Sequence, residues 1–261
     1  GQGYAVSVVA SRGRYLAGAV PAPARELRNG VEITRVQSTS FGRGSHIGRL
    51  ADYATFYVQV LRTLLTGRRR AGVVVLTTPP LLEFVAWLAR RLRGQRYAVW
   101  SMDLHPDAEI AAGMLAPRGL LARVLLGLNK LGYRGADFLV DLGPYMKRLL
   151  TAKGVPAERT ATVHMWSSGD EIEPTPRDRP PLAASLGLAD RFVVMSSGNA
   201  GIVHEFDPLL EAMRRLRDDA RIHFLFVGDG PQRSRIERYA AEHGIENFGY
   251  HDYFARDQLR H

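Results

Sequence analysis

Short, nearly continuous apolar runs alternate along this chain with stretches whose apolar positions recur every three or four residues. The runs YAVSVV (4–9), VEITRV (31–36), VVVLTT (73–78), YAVWSM (97–102), DFLVDL (137–142), RFVVMSS (191–197) and IHFLFVG (222–228) read as strands. Several are apolar throughout, the mark of parallel strands covered on both faces. Between them, residues 50–65 carry Leu50, Ala54, Tyr57, Val58, Leu61, Leu64 and Leu65 at helical spacing. PLLEFVAWLARRLRG (80–94) opens on a proline suited to a first turn and closes on a glycine suited to a C-cap. In DPLLEAMRRLRDDA (207–220), Asp207 reads as the N-cap and Pro208 as the first helical residue. Such alternation predicts doubly wound parallel sheets.

One stretch breaks the alternation. MWSSGDEIEPTPRDRPPLAASLG (165–187) is rich in proline and charge, and reads as a linker rather than a core element. The expected organisation is two Rossmann-like α/β domains, 1–168 and 169–261. The first opens on what reads as a second strand, and the last residues run inside a helical pattern, so truncation at both ends is expected.

Charge separates the same halves. Residues 1–168 hold 23 Lys and Arg against 10 Asp and Glu, whereas residues 169–261 hold 12 against 16. Either the first half faces something anionic, or it carries a solvated arginine-rich surface. With no cysteine, disulfides and thiolate metal sites are excluded. No apolar run reaches the length of a membrane span; the longest candidate, 119–137, is interrupted by Arg123 and Lys130.

Two strand ends carry the candidate chemistry. FVVMSSGNAGIVHEFDPLLEAM (192–213) passes from a strand through Gly198, Asn199 and Gly201 to His204 and a helix. FLFVGDGPQRSRIERYA (224–240) repeats the order with Gly228, Asp229, Gly230 and Pro231. A glycine turn between strand and helix aims unpaired N–H groups and a helix N-terminus at a phosphate. Glycines let the backbone approach closely, and an imidazole, ordinarily titrating near pH 6.5, adds a donor or a positive charge. The other reading is two tight βα turns without a ligand. Neither turn spells a dinucleotide fingerprint or a P-loop.

Taken in order, VVMSSGNAGIVHEFDPLLEAM, IHFLFVGDGPQRSRIE and NFGYHDYFARDQL resemble the donor domain of family 4 glycosyltransferases of the GT-B fold. LGYRGADFLVDLGPYMKRLLTAKGVPAERTATVHMWSSGDEIEP is similar to that family's passage between domains. VVVLTTPPLLEFVAWL and YAVWSMDLHPDAEIAAG resemble acceptor-domain loops of the branch that builds bacterial surface polysaccharides.

The resemblance implies a retaining transfer of sugar from a nucleotide diphosphate donor to a lipid-linked or glycan acceptor. It implies a cytoplasmic protein, peripheral at the inner membrane face, with no nucleic-acid partner. The donor diphosphate would meet Gly198, Asn199, Gly201, His204, Gly228, Asp229 and Gly230. Many members place Arg and Lys in the first of these loops, where this chain has Asn199 and His204. Many also place a His-Asp pair after the fourth acceptor-domain strand; here Met102 precedes Asp103, and the nearest imidazole is His105, so Asp103 and His105 are the catalytic candidates. Alternatively, Asp103 and Asp107 start a helix and His105 is a loop residue bonded to backbone. No Asp-x-Asp clamp occurs, so no metal cofactor is expected. The family's E-x7-E signature is expected beyond residue 261. Arginines in GRRRAG (67–72) and ARRLRGQRY (89–97) would face anionic lipid. A sugar-nucleotide epimerase and a noncatalytic binding module are the rival readings.

Overall fold

The computed structural model describes residues 3–12, 22–41, 46–166 and 181–254. It divides into two units, Gly1–Met165 and Trp166–His261. Residues 167–180 of the expected linker lie outside the described residues, as does most of the helix read at the C-terminal end.

Unit 1 begins with a small sheet of β1 (Ser7–Ser11), β2 (Arg25–Arg28) and β3 (Val31–Val36), in which β3 pairs parallel with β1 and antiparallel with β2. The long helix α1 (His46–Thr66) follows, tied to the segment after β3 where the Thr55 hydroxyl accepts the Thr39 N–H at 3.1 Å. A four-stranded parallel sheet comes next, in the order β4 (Val73–Leu76), β5 (Tyr97–Trp100), β6 (Phe138–Asp141), β7 (Thr160–Thr162). Its crossovers are α2 (Leu82–Arg93), α3 (Asp107–Ala111) with α4 (Leu120–Gly135), and α5 (Pro144–Ala152).

The core of this unit joins Val75, Tyr97, Val99 and Leu139 of the sheet to Ala86, Tyr133 and Leu150 of the helices. Gly132 sets how closely α4 approaches α2, since a methyl group there would lie 2.8 Å from the Glu83 carbonyl carbon. Gly94 ends α2 as expected, in the left-handed conformation with its N–H on the Arg90 carbonyl. Pro80 does not open the helix; Leu81, at φ 66°, takes the N-cap position.

Unit 2 is a parallel sheet ordered β10 (Phe248–His251), β9 (Ile222–Asp229), β8 (Phe192–Asn199). Helices α7 (Asp207–Arg215) and α8 (Arg233–Glu242) cover one face through Phe206, Leu210, Met213 and Ile236, packed on Phe224 and Phe226. The opposite face of β9, Leu225 and Val227, packs with Leu188 and with Ala183 of the short helix α6 (Pro181–Ser185). Coverage on both sides explains why residues 222–228 read as continuously apolar. Asp207 is not a cap: Phe206 stands at the N-cap of α7, while the Asp207 carboxylate pairs with Arg235.

Candidate active site

In unit 2 the two glycine turns lie side by side. β8 and β9 are parallel and in register to their ends, with Gly198 opposite Gly228 and Asn199 opposite Asp229. Both turns therefore leave from the C-terminal edge of one sheet, where open α/β sheets bind their ligands. The chain requires glycine there. Gly198, Gly228 and Gly230 have φ of 143°, 138° and 145°, a range L side chains rarely adopt. A methyl group on Gly228 would lie 1.9 Å from the Gly198 carbonyl oxygen, and one on Gly230 would lie 2.5 Å from that of Ala200.

Hydrogen bonds fasten the turns together. Ala200 N–H donates to the Asp229 carbonyl at 2.8 Å, and Gln232 N–H to the Ala200 carbonyl at 3.1 Å. The Gln232 side-chain amide donates to the carbonyls of Gly201 (2.6 Å) and His204 (2.8 Å). The Asn199 amide nitrogen and the His204 ring flank Gly201, 3.2 and 3.7 Å from where its Cβ would stand. The N–H groups of Ile202 and Val203, exposed at the tip, meet no acceptor among the described residues. Both α7 and α8 begin without a side-chain cap. All seven diphosphate candidates thus fall in one place, rich in available donors. Gln232 is not among the sequence candidates; its one signal is a polar residue directly after the Gly-Asp-Gly-Pro turn.

In unit 1, Asp103 and His105 share the loop after β5. The buried Thr77 hydroxyl accepts the N–H groups of Met102 (3.1 Å) and Asp103 (3.0 Å), fixing the loop to the end of β4 while the Asp103 side chain stays exposed. His105 is bonded to a carboxylate rather than to backbone: its Nδ1 lies 2.5 Å from Glu109 Oε1. Asp107 does start α3, and its carboxylate receives the Lys153 ammonium at 2.6 Å. Lys153 also donates to Asn129 Oδ1 (3.0 Å), whose amide donates to Glu83 Oε1 (2.8 Å). This chain, buried at Glu83 and Asn129 and half-buried at Lys153 and Asp107, ties the His105 segment to α2, α4 and the end of α5. Its sequence signal is faint: Glu83 and Asn129 are single polar residues inside apolar helical stripes.

A family profile described as a glycosyl transferase 4-like domain matches residues 1–166. The chain belongs to this family. It is 28% identical over 180 residues to the probable glycosyltransferase WbjE of Pseudomonas aeruginosa, covering 68% of this chain and 45% of that protein. It is 26% identical over 227 residues to the putative colanic acid biosynthesis glycosyl transferase WcaI of Escherichia coli K12, covering 85% and 54%. The chain therefore spans about half the length of the curated relatives it matches. Anabaena HepE, crystallised with UDP-glucose, superimposes with a TM-score of 0.61 at 16% identity, covering 87% of this chain and 57% of that one. The fold is GT-B, as the resemblance implied.

Within this glycosyl transferase 4-like chain the buried carboxyl of Glu83 has its pKa raised, first by desolvation, with Asn129, His105 and Lys153 acting against it. The sign of the consequence follows from linkage. Below the unfolded carboxyl's pKa, both states hold the proton and Glu83 has no pH effect. As pH rises past that value, the unfolded chain ionises first and the fold loses stability until the folded carboxyl ionises too. Glu83→Gln, which keeps an oxygen acceptor for Asn129, should melt with the wild type at pH 4 and above it at pH 8. Thermal denaturation by circular dichroism across that range reads the difference.

Proposed function

We propose that the chain is part of a retaining glycosyltransferase that moves a sugar from a nucleoside diphosphate donor to a lipid-linked or glycan acceptor. The observation that carries this reading is the paired turn of unit 2. Two glycine bends in register, stapled by Gln232, set the Asn199 amide and the His204 ring beside Gly201, next to Ile202 and Val203, whose N–H groups meet no acceptor among the described residues. Dipoles fixed before the reaction stabilise charge developing on a leaving diphosphate at little reorganisation cost. Asp229, exposed beside them, suits a hydroxyl of the donor better than its phosphates. No cluster of three His, Asp or Glu able to hold a metal occurs among the described residues. The proposed chemistry relies on backbone donors and does not call for such an ion.

Unit 1 is proposed to supply the group that touches the transferred sugar. His105, oriented through Nδ1 by Glu109, leaves Nε2 to hydrogen-bond a sugar hydroxyl. A cytoplasmic setting belongs to the same proposal; no described helix is long and apolar enough to cross a membrane.

HepE's ligand makes UDP-sugars the first donors to titrate. Calorimetric titration of UDP-glucose into the chain should detect binding. His204→Ala should bind it more weakly, having lost the ring that flanks Gly201. Affinity of the variant equal to the wild type's would remove His204 from the site. Binding without release of nucleoside diphosphate to any acceptor, in the chain extended to the full length of its relatives, would favour the noncatalytic reading.

A further inference from the structure

Of the arginines expected to meet anionic lipid, Arg69, Arg90 and Arg93 make contacts inside unit 1, while Arg68, Arg91 and Arg96 are exposed. Arg93 donates to the Leu64 and Gly67 carbonyls at the end of α1, Arg69 to the Gly94 carbonyl at the end of α2, and Arg90 pairs with Asp137. Cations at helix C-termini complement the exposed carbonyls, and stability accounts for them.

A different surface lacks that account. Helix α4 packs inward through small and polar residues, Ala122, Asn129, Gly132 and Tyr133. Four of its aliphatic residues are exposed, Leu120 by 78%, Leu121 by 59%, Val124 by 48% and Leu131 by 44%, while Leu125, Leu126 and Leu128 are half-buried. At 3.6 residues per turn these four fall on one stripe. Arg123, Lys130 and Arg134, all exposed, form a second stripe along its side. Arg118 stands exposed just before the helix, where a cation opposes the macrodipole and helix stability offers no reason for it. Met114, 55% exposed, precedes it in the same connection. From residue 111 to residue 136 there is not one Asp or Glu.

We infer that this outward face of α4 is a membrane contact, with its leucines entering the headgroup boundary of an anionic bilayer and its cations on the lipid phosphates. Exposed aliphatic residues flanked by cations without carboxylates match an interfacial helix. Charge favours lipid over a second copy of the face, which would bring cations and no carboxylate to receive them. The inference concerns binding alone and holds or fails independently of the sugar-transfer reading.

Flotation with phosphatidylcholine vesicles, with and without 30% phosphatidylglycerol (roughly the anionic content that attracts basic segments), tests it directly. The wild-type chain should float with anionic vesicles and stay largely unbound with neutral ones. Arg123→Gln/Lys130→Gln should weaken anionic binding by about tenfold or more, as each cation near the surface contributes measurably. Leu120→Ser/Leu121→Ser/Val124→Ser should abolish binding while the melting curve is retained, since these side chains lie outside the core. Equal flotation with neutral vesicles overturns the inference. So does binding that survives the serine variant, or a dimer in sedimentation equilibrium that the serine variant dissolves.

Discussion

Replacing Gly228 by alanine should cost unit 2 its fold. The methyl group would lie 1.9 Å from the Gly198 carbonyl oxygen and 2.9 Å from its carbon, both main-chain atoms of the neighbouring strand. No rotamer change relieves that contact, because neither partner is a side chain. The φ of 138° adds its own penalty. Residues forced into such regions cost roughly 1–3 kcal/mol from backbone strain alone, and overpacking adds about as much again. A loss of about 4 kcal/mol approaches the whole stability of many domains. Gly198→Ala separates the two effects: its φ is 143°, yet nothing lies within 4 Å of the added methyl. It should therefore lose only the strain, remain folded and bind a nucleoside diphosphate more weakly. Urea denaturation followed by tyrosine and tryptophan fluorescence, with calorimetric titration, ranks the two. A Gly228→Ala chain as stable as Gly198→Ala would mean that the turns do not approach as described.

Much of this arrangement is legible in the order of residues alone. The strands are short, apolar and bounded by glycine, so 31–36 is placed to the residue and 222–228 extends by only one. Strands β2, β7 and β10 escape the pattern because each is three or four residues long and mixed in polarity. The glycine turns are readable because a φ near 140° leaves few alternatives to glycine. Their register is not, since pairing between residues some thirty positions apart depends on how β8 and β9 stack. Asp207 shows the limit of local rules: a good N-cap type before a proline, it pairs with Arg235 instead. Helix α4 shows it again. Its apolar run does not tell which side is buried: Ala122, Asn129, Gly132 and Tyr133 face the core, while Leu120, Leu121, Val124 and Leu131 stay exposed.

His105→Ala is expected to carry the largest catalytic effect. The ring sits on a loop held at its start by Thr77 and at its end by the Asp107–Lys153 pair, and Glu109 binds its Nδ1. These restraints set the ring's position before substrate arrives, which is what a group acting in a transition state needs. With the extended chain and a productive donor and acceptor, the alanine variant should lower kcat by roughly 10²–10³, the range for losing one oriented hydrogen-bonding group at the transition state. Affinity for nucleoside diphosphate should stay unchanged, because the turns proposed to bind it belong to unit 2. Glu109→Gln keeps an oxygen for Nδ1 and removes the charge. As a positioning change it should lower kcat by about tenfold, leave KM near the wild type, and leave the melting temperature in place. Lys153→Met removes one partner of a half-buried pair and should cost about 1–3 kcal/mol of stability as well as kcat. If His105→Ala turns over at the wild-type rate, the imidazole does not touch the sugar. The 103–109 loop would then be a folded connection, and Asp103 the remaining candidate there.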